Sequence, residues 1–316
     1  MRNNMKRIIP LLSLLILVPL TVFSNENHEK AEKLMDAGLY SEAVIEYTKA
    51  ANEGYMMSQA ALGDIYLDGI GVGVDKQLAL KWFKMAGNQG DAISQNNVGD
   101  IYSVGSSTIN KDPAKGAMWF EKAANQGLGM AQANLGSLYV MGLGVSKDIE
   151  KGKSLLLQAA SQDVEVAFTI LATLEGEAFT EEELFEVYYD LALDGTAYAQ
   201  YEIGKRFFMG NGVTKSAVLS AKWIESAAKL GIPEAQHVMG LSYYYGRNKP
   251  KNVATAVTWF EEASNQNYAE AQYHLGIIHL TEEGFDSDLA LGVKYLRMAA
   301  EQGHEKSQSL IVQLTQ

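Results

Sequence analysis

No cysteine occurs anywhere in the sequence. Disulfide staples, on which small secreted domains depend, are therefore excluded, and so is a bacterial lipoprotein, which needs a cysteine after its leader. Histidine is scarce. The five, His28, His237, His274, His279 and His304, form no His-x-x-x-His pair, so no helix face offers two imidazoles to a metal and no metal or cofactor is expected. Five prolines occur. Pro10 and Pro19 lie near the amino terminus, and Pro113 and Pro233 stand where new helices should begin, where a missing N–H costs nothing. Basic residues are outnumbered 26 to 38, and so acidic a surface repels nucleic acid and anionic membrane. Long apolar runs are absent beyond residue 24.

Residues 1–24 are expected to be a secretory signal. Arg2, Lys6 and Arg7 precede an apolar stretch from Ile8 to Phe23, broken by both prolines. Val22-Phe23-Ser24 places small residues where a signal peptidase inspects them, so cleavage is expected after Ser24. The stretch is shorter than the ~20 residues that cross a bilayer. The mature chain, residues 25–316, would carry 23 basic and 38 acidic residues, a net −15.

What the chain has is repetition. A glycine within an apolar-Gly-x-x-aromatic phrase recurs at Gly63, Gly99, Gly136, Gly204, Gly240 and Gly276, in steps of 36, 37, 68, 36 and 36 residues. The long gap holds a degenerate copy at Leu171-Ala172. A second phrase, small-small-x-Gln-Gly in its full form, closes each unit at Gly54, Gly90, Gly127, Asp163, Gly195, Gly231, Asn267 and Gly303. Two independent markers on one period mean a solenoid of like units. Such an array presents an extended surface and lacks the single deep pocket that chemistry needs.

One unit reads as two helices. Ser58, Leu62 and Tyr66 make an apolar stripe on the first, beside Gly63, which lets the second helix come close. The run Gly69-Ile70-Gly71-Val72-Gly73 turns the chain, and Ala79, Trp82, Phe83 and Ala86 form the stripe of the second helix. Asn88-Gln89-Gly90 ends it, with the glycine free to take a left-handed cap. Residues 28–54 supply an opening unit, and 305–315 a last helix that covers the open end.

Leu62-Gly63-x-x-Tyr66, Gly69-x-Gly71-Val72, Trp82-Phe83 and Ala86-x-x-Gln89-Gly90 resemble the Sel-one-like repeat, a branch of the tetratricopeptide superfamily, over roughly residues 28–316. The resemblance implies an all-α solenoid: about eight antiparallel helix pairs in a right-handed superhelix, plus a carboxyl-terminal capping helix. It also implies a non-catalytic adaptor, often periplasmic or secreted. Two departures are visible. The disulfides of the cysteine-rich branch are impossible. The fourth unit, near 164–195, lacks the glycine turn and the tryptophan and spans 32 residues between closing positions; it is expected to bend the array or divide it.

Catalytic signatures are missing. The glycine run at 69–73 lacks the Gly-Lys-Ser/Thr of a phosphate loop and recurs as a turn. No Gly-x-Ser-x-Gly elbow occurs. The acids Glu175, Glu177, Glu181, Glu182, Glu183 and Glu186 could serve a calcium site or a paired-carboxylate hydrolase, whose turnover would be lost on Glu181→Gln or Glu186→Gln, but no EF-hand spacing occurs. Thr180 and Glu183, however, read as a helix capping box and the remainder as a solvated face.

One constellation rises above this background. Counted from the repeat glycine, positions −6, −3, +1, +4 and +5 lie opposite the core stripe. In tetratricopeptide-like arrays that face lines a concave groove. At −3 the units read Ala60, Asn96, Ala133, Thr169, Tyr201, His237 and Tyr273. Tyr198, Phe208, Met209, Tyr244 and Tyr245 add to this face in the fifth and sixth units, whereas early units offer Met57, Asp64, Asp68, Ile93, Asp100, Ser103 and Met130. An aromatic groove of Tyr198, Tyr201, Phe208, His237, Tyr244, Tyr245 and Tyr273 is thus expected to hold a protein or peptide. A glycan or cell-wall polymer is the alternative, since tyrosines also stack on sugar rings.

Overall fold

The computed structural model describes residues 25–281 and 288–314; the expected leader, 1–24, lies outside them. The described residues form seventeen α-helices, with no strand beyond an isolated bridge between Glu175 and Phe179. They divide into two compact units, one ending at Ser94 and one beginning at Gln95.

In the first unit α1 (Glu26–Asp36) pairs with α2 (Tyr40–Asn52) and α3 (Met56–Asp68) with α4 (Lys76–Asn88). Ala43, Tyr47, Leu62, Ile65 and Trp82 fill its core. The second unit holds most of α5 (Ala92–Val104), then α6 (Pro113–Asn125), α7 (Gly129–Met141), α8 (Ile149–Ala160), α9 (Glu165–Thr173) and α10 (Glu181–Leu193). It continues through α11 (Ala197–Met209), α12 (Ala217–Lys229), α13 (Pro233–Tyr245), α14 (Val253–Asn265), α15 (Ala269–Thr281), α16 (Leu289–Glu301) and α17 (Glu305–Leu314), the last packing on α16.

Each pair closes at the repeat glycine. A Cβ on Gly240 would stand 2.5 Å from Cε1 of Phe260, and one on Gly99 would stand 2.5 Å from Cδ1 of Phe120. Gly136, Gly204 and Gly276 meet Leu156, Ile224 and Leu296 in the same way. Second helices begin on side-chain caps: Asp75, Asp112, Asp148, Thr180, Ser216, Asn252 and Asp288 each accept a backbone N–H of the first turn. Pro113 and Pro233 open α6 and α13 as expected. The second glycine of the turn seats one repeat on another. Gly144, in the left-handed region at φ +73°, lies against the Pro113–Ala114 backbone, and Gly212 against Glu181.

The glutamine of the closing phrase also carries a bond. Gln89 donates to Gln59 at 2.7 Å, Gln126 to Gln95 at 2.8 Å, Gln162 to Gln132 at 2.9 Å, Gln266 to Gln236 at 2.8 Å and Gln302 to Gln272 at 2.7 Å. Every acceptor sits four residues before a repeat glycine, so in these five units an amide pair ties the end of the second helix to its own first helix. The fifth unit breaks the series. Leu230 occupies the donor position, and the buried Gln200 Oε1 has no hydrogen-bond partner among the described residues.

The fourth unit does not divide the array at its own position, because the compact-unit boundary falls at Ser94. Phe168, Leu171, Leu174, Leu184 and Tyr188 belong to one hydrophobic cluster with residues of α7, α8 and α11. Phe168 replaces the glutamine at −4, and its carbonyl accepts from the Tyr188 hydroxyl at 3.1 Å. Asp163, at φ +61°, accepts the backbone N–H groups of Ala197 and Tyr198 and so caps α11.

The unpaired amide gives a direct test. Leu230→Gln should supply the missing donor and stabilise the chain by about 1 kcal/mol in urea unfolding, whereas Gln266→Ala should cost a similar amount. An unchanged midpoint for Leu230→Gln would mean that the amide pairs contribute nothing net.

Candidate functional site

The expected groove residues fall on α11, α13 and α15 at the predicted register. They gather into three patches. Tyr198 and Tyr201 meet edge to face at 5.9 Å, and Tyr201 also walls an apolar cleft of about 340 Å³ shared with Phe208, Met209, Ile224 and Val238. His237 contacts Tyr268 and His274, and His274 in turn contacts Tyr273. Tyr244 and Tyr245 pack against each other at 4.9 Å, at the carboxyl end of α13.

Exposure follows position along the helix. Phe208 and Tyr245, at the ends of α11 and α13, are 71% and 55% exposed. Tyr201, His237 and Tyr273, in mid-helix, are half-buried. The Tyr201 ring packs on the cluster holding Ile224 and Ala228 of α12, and His237 lies 5.6 Å from the Phe260 ring of α14. Tyr201 and His237 thus pack against second helices, and all three mid-helix rings are only partly exposed.

Burial sets the electrostatics. It pushes the Tyr198 and Tyr201 phenols well up, with help from the charges of Glu202 and Glu234, and lifts Tyr268 to about 12. Glu234 is itself raised by burial and by Glu165 and Glu202. Cations lie over several rings: Lys205 over Tyr201 at 5.2 Å, Arg247 over Tyr245 at 5.2 Å and Lys251 over Tyr244 at 5.7 Å. His237 Nε2 is 3.2 Å from His274 Nδ1, which also lies 2.8 Å from the Glu270 carbonyl. Burial, with His274 beside it, pushes His237 down to about 3.

At the other end of the second unit the face is polar. Asn96 donates to Asp100 at 2.9 Å, and Asn134 donates to both Asn96 and Asp100. Burial lifts Asp100 to about 6, against the Asn96 hydrogen bond.

Three of the acids of the fourth unit have structural partners. Glu175 pairs at 2.8 Å with the buried Arg206, Glu181 accepts the Gly212 N–H, and Thr180 and Glu183 form the expected capping box. Among the described residues no group of three His, Asp or Glu side chains is placed to hold a metal, and no helix is long and apolar enough to cross a membrane. His279 is buried and stacks on Tyr295, as a core substitute would.

Three members of the aromatic patches escaped the sequence reading: Tyr268, His274 and His304, whose ring lies 4.8 Å from that of Tyr273. Tyr268 and His304 each follow a closing position directly, as Tyr55 does. That column of the repeat was therefore available as a signal. His274, at −2, had none.

The Sel1 repeat model matches residues 57–91, 92–128, 129–164, 197–232, 233–268 and 269–304. Residues 1–56, 165–196 and 305–316 fall outside these matches. A Sel1 repeat protein from Oxalobacter formigenes is similar in structure, with TM-score 0.57 and 29% identity over 92% of this chain and 82% of that one. The protein c5321, a protective antigen of uropathogenic Escherichia coli with an SLR fold, has TM-score 0.53 and 24% identity over 91% of this chain and 67% of that one. The latter likeness shows the fold alone. No curated protein matches the chain significantly.

The histidine pair makes stability depend on pH. A histidine whose folded pKa is depressed keeps its full contribution above the unfolded value of about 6.5 and loses it as pH falls towards the folded value. The His237 contribution should therefore be lost between pH 6.5 and 5, opposed by the raised Asp100 carboxyl, which favours the fold as pH falls. In urea titrations His237→Gln should lose less stability than the wild type over that range. Parallel slopes for the two proteins would remove His237 as the cause.

Proposed function

Because the chain belongs to the Sel1 repeat family, whose members generally serve as protein-interaction scaffolds, we propose that it is a non-catalytic adaptor. It holds a protein or peptide on the face formed by α11, α13 and α15, through Tyr198, Tyr201, Phe208, His237, Tyr244, Tyr245 and Tyr273. The observation that carries this reading is the exposure of Phe208 at the mouth of an apolar cleft, with Tyr245 exposed at the end of α13. Large rings kept in water at the ends of packed helices favour a partner over a folding role. The basic-apolar start of the sequence supports export, cleavage after Ser24 and work in the periplasm or outside the cell.

A glycan partner is the second reading, favoured by the number of half-exposed tyrosines on one face. A hydrolase is disfavoured by the structural partners of Glu175, Glu181 and Glu183.

A pull-down from a periplasmic extract tests this, with residues 25–316 as bait beside a Tyr201→Ser, Tyr244→Ser, Tyr273→Ser variant of unchanged helicity. The wild type should retain a partner that the variant loses, and protease treatment of the extract should abolish retention. Equal retention by both would move the site elsewhere, and retention that survives protease would favour the glycan.

A further inference from the structure

The turns that follow α11 and α13 carry the opposite charge to the chain as a whole. Residues 210–216 and 246–252 hold Lys215, Arg247, Lys249 and Lys251 and no acid, in a sequence where acids outnumber bases 38 to 26. Four other units end this turn on an aspartate that caps the second helix: Asp75, Asp112, Asp148 and Asp288. Here Ser216 and Asn252 make the same bond. All these residue types cap well, so helix formation does not require the two carboxylates to be missing. Lys249 is matched by Glu225 at 2.8 Å, whereas Lys215 and Arg247 are exposed and form no salt bridge among the described residues.

Both cations stand beside exposed apolar side chains. The Lys215 stem lies across the end of α11: a Cβ on Gly210 would stand 2.7 Å from its Cγ and 3.0 Å from its Cε. Phe208 and Met209, immediately before Gly210, are exposed, and both line the apolar cleft that they share with Val238 of α13. One repeat on, the Arg247 guanidinium lies over the exposed Tyr245 at 5.2 Å. Since α11 and α13 share that cleft, equivalent ends of the two helices lie about 10 Å apart, the ordinary separation of packed helices.

We propose that this edge binds an acidic segment of a partner protein, with a bulky apolar side chain in the cleft beside Phe208 and carboxylates on Lys215 and Arg247. The inference rests on the peptide-binding reading above and specifies its partner. A carboxylate forms charge-assisted hydrogen bonds with either cation, whereas a basic segment is repelled by both. Nucleic acid would meet the same two cations together with the net −12 of the chain, so a short acidic segment is the better match. An extended segment advances about 3.3 Å per residue. Carboxylates about two or three positions apart therefore reach both cations.

Random peptides displayed on phage and selected on the full chain would decide this, followed by anisotropy titrations of the selected peptides as labelled synthetic probes. Aspartate and glutamate should be enriched at that spacing, next to a bulky apolar residue. Lys215→Gln with Arg247→Gln should weaken binding about tenfold and remove most of its salt dependence. Phe208→Ser should weaken it and leave that dependence in place. Lys215→Glu with Arg247→Glu should invert the selection towards lysine and arginine, a change that misfolding cannot imitate. Peptides without acidic enrichment, binding indifferent to the two cations, or tighter binding of a labelled oligothymidylate would overturn the inference. If the selected peptides still respond to Phe208→Ser and Tyr201→Ser, the groove survives and only its charge preference falls. If none is selected, or none responds to those substitutions, both readings fall together.

Discussion

The contact between a bare glycine on one helix and a bulky side chain on the next is the constraint on which the structure depends. At Gly99 and Gly240 the partner is a phenylalanine ring, and at Gly136, Gly204 and Gly276 an aliphatic branch takes its place. Each glycine forgoes the helix propensity of alanine, about 1 kcal/mol, and in return the two axes approach until the partner rests on backbone. That approach sets the spacing of the second helices, and with it the positions from which Phe260 and Ile224 support the rings of the opposite face. The face proposed to bind is thus shaped by residues that no partner would touch.

The fourth unit illustrates what happens when the constraint is relaxed. Without the glycine phrase it packs through large side chains instead, with Phe168 and Tyr188 filling the space a close helix pair would leave. Arg206 reaches back from α11 to Glu175 and to the Glu181 carbonyl, binding the irregular segment to the regular unit that follows. The unit is a change of packing mode inside a continuous core rather than a break in it.

Much of the fold was legible because the repeat reports its constraints directly. The glycines, the proline starts of α6 and α13, the left-handed closing residues and the Thr180 capping box are local features, and local spacing reveals them. The groove register was legible for the same reason, since helical phase alone places Tyr201, His237 and Tyr273 on one side. Their degree of burial was not. It depends on how far Tyr268 and His274 of the neighbouring unit lean across, and phase says nothing about neighbours. The glutamine pairs were half visible: the closing glutamine served as a marker, but its partner thirty residues earlier becomes meaningful only when the helices are folded together.

The central claim is that the repeat glycines are required by contact rather than tolerated by chance, and urea unfolding of Gly240→Ala tests it most directly. A glycine merely accommodated in a helix would become more stable on conversion to alanine, by about 1 kcal/mol. Here the new Cβ would meet the Phe260 ring, and the account predicts the opposite sign, a loss of roughly 1–3 kcal/mol as the pair is forced apart. A variant as stable as the wild type, or more so, would contradict it.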